Sequence, residues 1–361
     1  MGSVFGKNIK ISIFGQSHSE GLGVVIDGLP SGAEIDFASL DKFLERRKPK
    51  DVFGGTSRRE KDEYEVLSGV FKGKTCGAPL CITVKNKCAD DSEYPEKMTT
   101  PRPSHADYPA HEKYGGYEDH VGGGHFSGRL TLPLCIAGGI CKQFLEEKGI
   151  YIGAHIEKLG GISGGRFDSV SVNEKEFEEL NFKELPVIDG SMLQKMKEKI
   201  SEAKEKHDSL GGVIECAIVG LPVGIGDPMF DGLENRIASA IFGIPAIKAI
   251  EFGNGFECAE LFGSQNNDEY RIQNGKITTE TNNCGGILGG ISNGMPLIFR
   301  VAVKPTPTIG IKQRTVDLEK MTDCETEIKG RHDVCIVPRA VPCVEAAAAI
   351  AIYDAMCENG K

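Results

Sequence analysis

The 361-residue chain has no tryptophan, no surplus of basic side chains, no C-x-x-C pair among its twelve cysteines, and none of the standard phosphate-binding fingerprints. Each absence excludes a class. With 42 Lys and Arg against 52 Asp and Glu, a net charge of −10, the chain lacks the basic footprint of a nucleic-acid or anionic-membrane binder. Any anion it holds must be met by local arginines. No apolar run reaches the roughly 18 residues of a membrane span; the best, residues 346–353, is short and alanine-rich. The start MGSVFGKNIK lacks the apolar core of a signal peptide, so a cytoplasmic protein is expected, with its scattered cysteines reduced and mostly buried. Neither G-x-G-x-x-G nor G-x-x-x-x-G-K-[ST] occurs, so phosphates, if bound, are bound by other means.

What is abundant is glycine, 46 residues, much of it in doublets and one triplet. Its placement shows an internal repeat. GVVIDGLPSG at 23–32 is answered by VIECAIVGLPVG at 213–224, each a β-rich run ending in Gly-Leu-Pro-x-Gly before an amphipathic start. Gly69, Gly73, Gly77, Pro79 and Leu80 match Gly286, Gly290, Gly294, Pro296 and Leu297 with identical spacing. Each half then carries an Arg–His–Asp cluster (Arg102, His105, Asp107; Arg331, His332, Asp333) and an arginine ahead of a proline and a helix-like stretch (Arg129, Pro133; Arg339, Pro342). The expectation is one domain over 1–361 built from a duplicated α+β unit, with copies at about 1–155 and 207–361. The charged connection, about 171–206, is expected to hold a surface helix whose inner face is Leu193, Met196, Ile200 and Ala203.

Five of the eight histidines, His18, His105, His111, His120 and His125, lie near glycine, serine or aspartate rather than in apolar runs. Their irregular intervals do not suit a zinc site, so no metal is expected. Arg46, Arg47, Arg102, Arg331 and Arg339 stand near turns and histidines, and such guanidinium groups suit a compact polyanion because their fork pairs bidentately with phosphate or carboxylate. The glycine turns at 122–124 and 285–290 can add backbone donors.

FGQSH (14–18), SGVFKGKTCG (68–77), RPSHADY (102–108), GGILGGISNG (285–294), KPTPT (304–308) and GRHDVCIVPRAVP (330–342) resemble, in order over nearly the whole chain, the chorismate synthase family. The resemblance implies a β-α-β sandwich with internal duplication, assembled as a homotetramer. It also implies a lyase that converts 5-enolpyruvylshikimate 3-phosphate to chorismate and phosphate by 1,4-elimination, with reduced FMN and no net redox change. No reductase segment stands out, so an external source of reduced flavin is expected. By resemblance His18 protonates the leaving phosphate, His105 assists flavin protonation, and Asp333 manages the proton at flavin nitrogen 5. Ser17, Arg46, Arg47, Arg102, Arg129 and Arg339 are expected at the substrate anions. His125, Phe126, Ser127, Gly289, Lys304, Pro305, Thr306, Pro307, Thr308 and Arg331 are expected at the flavin. Val121, His125, Phe126 and Phe53 depart from the arginines and serine common in the family, which leaves a non-catalytic flavin or phosphate binder as the alternative. If His125 replaces an arginine at an anion, affinity there should rise as pH falls through its pKa.

Overall fold

The paired glycines of the repeat occur where the backbone must turn left-handed. Gly28 and Gly220, Gly32 and Gly224, Gly69 and Gly286, Gly73 and Gly290, and Gly77 and Gly294 all have φ between 79 and 90°. At Gly69 and Gly286 there is no room either: a Cβ would lie 2.4 Å from the Leu80 Cα in one copy and 2.8 Å from the Leu297 Cα in the other. The same turn is made against the same partner twice, and only glycine permits it.

A computed structural model of the chain describes residues 2–49, 61–87, 98–328 and 333–358. Phe53, Arg331 and His332 lie outside the described residues. The chain runs through β1 (Val4–Phe5), β2 (Lys10–Gly15), β3 (Gly21–Asp27), α1 (Phe37–Glu45), β4 (Tyr64–Ser68), the small hairpin β5–β6 (Val70–Phe71, Lys74–Thr75), β7 (Leu80–Lys85), α2 (Asp107–Tyr114) and α3 (Thr131–Glu146). It continues through β8 (Tyr151–Leu159), β9 (Ile162–Ser163), α4 (Glu174–Asn181), α5 (Leu193–Glu205), β10 (Gly212–Val219), α6 (Leu233–Ile241), β11 (Ile247–Phe252) and the short α7 (Gly263–Asn266). An outer hairpin β12–β13 (Tyr270–Gln273, Lys276–Thr279), a small hairpin β14–β15 (Ile287–Leu288, Ile291–Ser292), β16 (Leu297–Val303), the hairpin β17–β18 (Gln313–Asp317, Thr322–Thr326) and α8 (Val337–Glu358) complete it.

Two five-stranded antiparallel sheets result, ordered β1-β2-β3-β7-β4 and β9-β8-β10-β16-β11. Position by position they correspond: β3 and β10 end in the Gly-Leu-Pro turns, and β7 and β16 follow the glycine-spaced hairpins. The second sheet opens with β8, at Tyr151, ahead of the charged connection. α3 packs on β3, α8 packs on β8 and β10, and the two helices pack on each other, which makes the β-α-β sandwich. α5 buries Met196, Ile200 and Ala203, the face its spacing suggested.

The helices of the middle layer approach closely because their contact positions are small. A Cβ on Gly138 of α3 would lie 2.4 Å from the Ala346 Cα on α8. The Cys135 and Cys343 sulfurs meet at the same sequence offset, 208, so the helices run parallel with their N-termini at one end. α8 is long and apolar enough to cross a membrane by length and composition, yet 94% of that window is buried in the protein. Its apolarity on all sides is that of a helix enclosed by α3, α6 and the second sheet.

Among the buried charges of this layer, one is fully enclosed. Glu345 of α8 is fully buried; Arg46 at the end of α1 grips it through Nη1 at 2.8 Å and Nη2 at 2.6 Å. Lys142 Nζ of α3 at 3.1 Å and the Ala154 N–H of β8 at 3.1 Å complete its partners. Burial works against the Glu345 charge, but the two cations outweigh it and hold the carboxyl well below its ordinary value of 4.5. A depressed native pKa contributes stability that is complete above about 4.5 and is lost as pH falls toward the native value. Glu345→Gln leaves Arg46 and Lys142 facing an amide, and should cost about 3–5 kcal/mol of unfolding free energy near neutral pH. Urea denaturation at pH 7 and pH 4 checks both points: the variant's deficit should be smaller at pH 4, and an equal deficit at both would contradict the charge-based account.

Candidate active site

Arg47 follows α1, Arg129 precedes α3, and Arg339 lies in the first turn of α8. Parallel packing of α3 and α8 brings the last two to one end of the middle layer. The three guanidinium groups share two carboxylates. Arg47 Nη2 donates to Asp62 Oδ2 at 2.9 Å, and Arg129 Nη1 pairs with Asp62 Oδ1. Arg339 Nη1 donates to Asp333 Oδ2 at 2.6 Å and its Nε to the Arg47 carbonyl at 3.2 Å. Burial raises the Asp62 carboxyl, but Arg47 and Arg129 outweigh it and keep the group below its ordinary value. The Arg47 side chain is only 3% exposed, and its Nε has no hydrogen-bond partner among the described residues. A buried donor of this kind costs free energy until an acceptor reaches it. Among the described residues, this donor of the cluster has no acceptor.

The histidines sit on the next arc. Asn86, just beyond β7, donates to the Gln16 carbonyl at 3.0 Å and the Ser19 carbonyl at 2.8 Å, and accepts from Arg129 Nε at 3.3 Å. It thereby fixes the loop carrying Ser17 and His18 to the arginine cluster. Ser17 is buried, and its N–H donates to the Gly124 carbonyl at 3.1 Å. Gly122, Gly123 and Gly124 have φ of 60, 84 and 51°. A Cβ on Gly122 would overlap the His18 ring at 1.9 Å, and one on Gly123 would stand 3.4 Å from His105 Nε2. The triple-glycine turn is thus bare because the two histidines flank it.

His105 is oriented from behind. Its Nδ1 lies 2.6 Å from Asp107 Oδ1, so this nitrogen carries the proton toward the carboxylate and Nε2 is left facing the glycine turn. Arg102 grips the same carboxylate through Nε at 2.7 Å and Nη2 at 2.8 Å. Burial raises the Asp107 carboxyl, but the hydrogen bonds from Arg102 and His105 dominate and hold it far below the usual carboxylate range. Lys304 Nζ donates to the Ser104 carbonyl at 2.6 Å, and the Thr306 hydroxyl donates to the Asp333 carbonyl at 2.9 Å. The 304–308 stretch of the second half so joins the His105 turn to Asp333 and closes the ring.

The remaining expected residues are placed less centrally. Arg46 is committed to Glu345 inside the α layer, and Arg102 is spent on Asp107. Both ring nitrogens of His125 are engaged within the chain, Nδ1 with the Gly15 carbonyl at 2.8 Å and Nε2 with the Ser3 hydroxyl at 2.9 Å. Phe126 is exposed beside it, and the Ser127 hydroxyl accepts from the Arg129 N–H at 3.3 Å. Pro305 is exposed, and Pro307 and Thr308 are half-buried in the closing stretch. Gly289 lies in the β14–β15 hairpin, whose neighbours are Asp227, Gly232 and Leu233 rather than the ring. Asp62, Asn86 and Asp107 were not singled out from sequence as site residues; Asp107 in the RPSHAD run, two residues past His105, was the one with a visible signal.

A sequence model of the chorismate synthase family matches residues 9–357. A chorismate synthase of Thermococcus kodakarensis is 47% identical over 350 residues, covering 97% of this chain and 96% of the relative. One of Dehalococcoides mccartyi is 45% identical over 354 residues, covering 98% and 96%. A crystal structure of chorismate synthase superposes with a TM-score of 0.78 at 30% identity, covering 98% of this chain and 93% of that one. The chain belongs to the chorismate synthase family, the enzymes that form chorismate in the shikimate pathway.

Proposed function

We propose that this chain forms chorismate from 5-enolpyruvylshikimate 3-phosphate by 1,4-elimination with reduced FMN bound beside the substrate, at the ring of residues around Arg47, Arg129 and Arg339. The observation that carries the reading is the buried Arg47 Nε, without an acceptor among the described residues, where Arg47 meets Arg129 and Arg339 at the converging N-termini of α3 and α8. Helix N-termini add partial positive charge to that end of the layer. The site suits two anions, since Lys304 and Thr306 extend it from the arginines to His105 and the glycine turn leaves a face free of side chains. Phe126, Ser127, 304–308 and Arg331 would hold the flavin, with His125 fixing the turn beside them; Gly289 is set apart from this group by its hairpin's neighbours. Reduced FMN, when bound, supplies an electron-rich ring that offsets electron deficiency in the substrate as the phosphate departs.

The rest is supplied by the chain. Overall, the C3–O bond to phosphate breaks, carbon 6 loses a hydrogen, and a new carbon–carbon double bond forms. Arg47, Arg129 and Arg339 meet the charge that grows on the leaving phosphate, and His18 gives it a proton. His105 presents Nε2 for proton transfer, its other nitrogen held by Asp107. Asp333 accepts the released proton, oriented by Arg339. We further propose an external supply of reduced flavin, a cytoplasmic location and a homotetramer; exposed Phe256, Phe262, Ile272 and Ile277 on the second half support contact between subunits.

Anaerobic incubation with the substrate and chemically reduced FMN should yield chorismate absorbance, whereas flavin binding without turnover would favour the non-catalytic alternative. Asp333→Asn should bind substrate and reduced FMN but lose single-turnover rate by roughly 10²–10⁴-fold, the range of a missing acid–base group. A near-native rate would make Asp333 only a partner for Arg339. Asp107→Asn acts through His105, so kcat should fall with KM little changed, the acid limb of the pH–rate profile should move, and Asp107→Glu should recover part of the rate. An unmoved pH profile would contradict that positioning role.

A further inference from the structure

Beneath the arginines, the parallel middle helices bring two thiols together. Cys135 of α3 and Cys343 of α8 are both buried, and the Cys135 thiol donates to Cys343 Sγ at 3.7 Å. The Cys343 thiol in turn donates to the Arg339 carbonyl at 3.3 Å, one helical turn earlier, a bond it gives up on ionising. We infer that Cys135 and Cys343 are an oxidative modification site, forming a reversible disulfide with hydrogen peroxide that pins α3 to α8 beneath the anion-binding arginines.

A disulfide needs sulfurs about 2.05 Å apart, so the pair must close by less than about 2 Å. Each member has its own environment. Cys343 receives the Cys135 hydrogen bond and lies beside Arg47 and Arg339, which favours its thiolate and lowers its pKa despite burial. Burial dominates at Cys135 and pushes its thiol up, so it stays protonated. Cys343, which also contacts the Arg339 backbone, is the attacking sulfur, and Cys135, which faces it, the resolving one. The Cys343 thiolate attacks one peroxide oxygen, the O–O bond breaks, and one water leaves after proton uptake, giving a sulfenic acid. The Cys135 sulfur then displaces the second oxygen as water. Two thiols are oxidised, one peroxide is reduced, and two waters form. Both sulfurs are buried, so peroxide must enter by local opening beside Arg339, which is 24% exposed. The inference rests on the thiol pair and the arginines around it, and stands apart from the flavin chemistry.

The protein is treated with hydrogen peroxide and mapped by mass spectrometry without reduction. Exposed Cys76 and Cys258 report that the oxidant has acted. The expected product is a peptide linked through Cys135 and Cys343, lost on dithiothreitol treatment and absent from Cys343→Ser. Cys135→Ser should instead accumulate a sulfenic acid at Cys343, trapped by dimedone. Oxidised Cys76 and Cys258 with Cys135 and Cys343 still free thiols in the unmodified chain would overturn the inference, and that result needs no variant to fold.

Discussion

The parallel approach of α3 and α8 is the constraint on which the rest of the structure depends. Parallel neighbours align their macrodipoles and gather partial positive charge at one end, an arrangement that costs free energy unless something negative meets it. Small residues permit the contact: Gly138 against Ala346 removes the side chains that would hold the helices apart. The duplication explains the direction. Two copies of one unit, each ending in a helix laid on its own sheet, face each other across the layer with equivalent ends together. The site arises where both copies put an arginine near the start of that helix.

The chain meets this concentration of charge in two ways. Away from solvent, Glu345 is fully satisfied by Arg46, Lys142 and a backbone N–H, and the α layer is closed there. At the N-terminal end, Asp62 and Asp333 are shared among three guanidinium groups, and Arg47 Nε has no acceptor among the described residues. Adjacent arginines thus have different fates, Arg46 turned into a structural ion pair and Arg47 toward the site. The histidine arc is built on the same economy. Asp107 is so well supplied by Arg102 that it remains a fixed acceptor for His105, and the glycines of the 122–124 turn let the His18 ring pack on Gly122 with His105 beside Gly123.

Much of this was legible in the sequence. The matched glycine spacing revealed the duplication because left-handed backbone is a local requirement that one residue type answers. His18, His105, Asp333 and the three clustered arginines stood out through motif context. Side-chain direction did not. Nothing local in Arg46-Arg47 says which guanidinium turns toward Glu345, almost 300 positions away. His125 looked like an anion ligand by analogy with arginine, whereas its ring nitrogens close on Gly15 and Ser3. Asp62 and Asn86 lacked any distinguishing pattern, since their roles come from long-range contacts with Arg47, Arg129 and the His18 loop.

The central claim is that arginines from both copies meet one anion. A double-mutant cycle on the dissociation constant of 5-enolpyruvylshikimate 3-phosphate, using Arg129→Ala, Arg339→Ala and the pair, tests it most directly. Residues contacting a shared charged ligand should be coupled, with a non-additive term of about 0.5 kcal/mol or more. Additive losses within about 0.3–0.5 kcal/mol would mean independent sites, and would contradict the account.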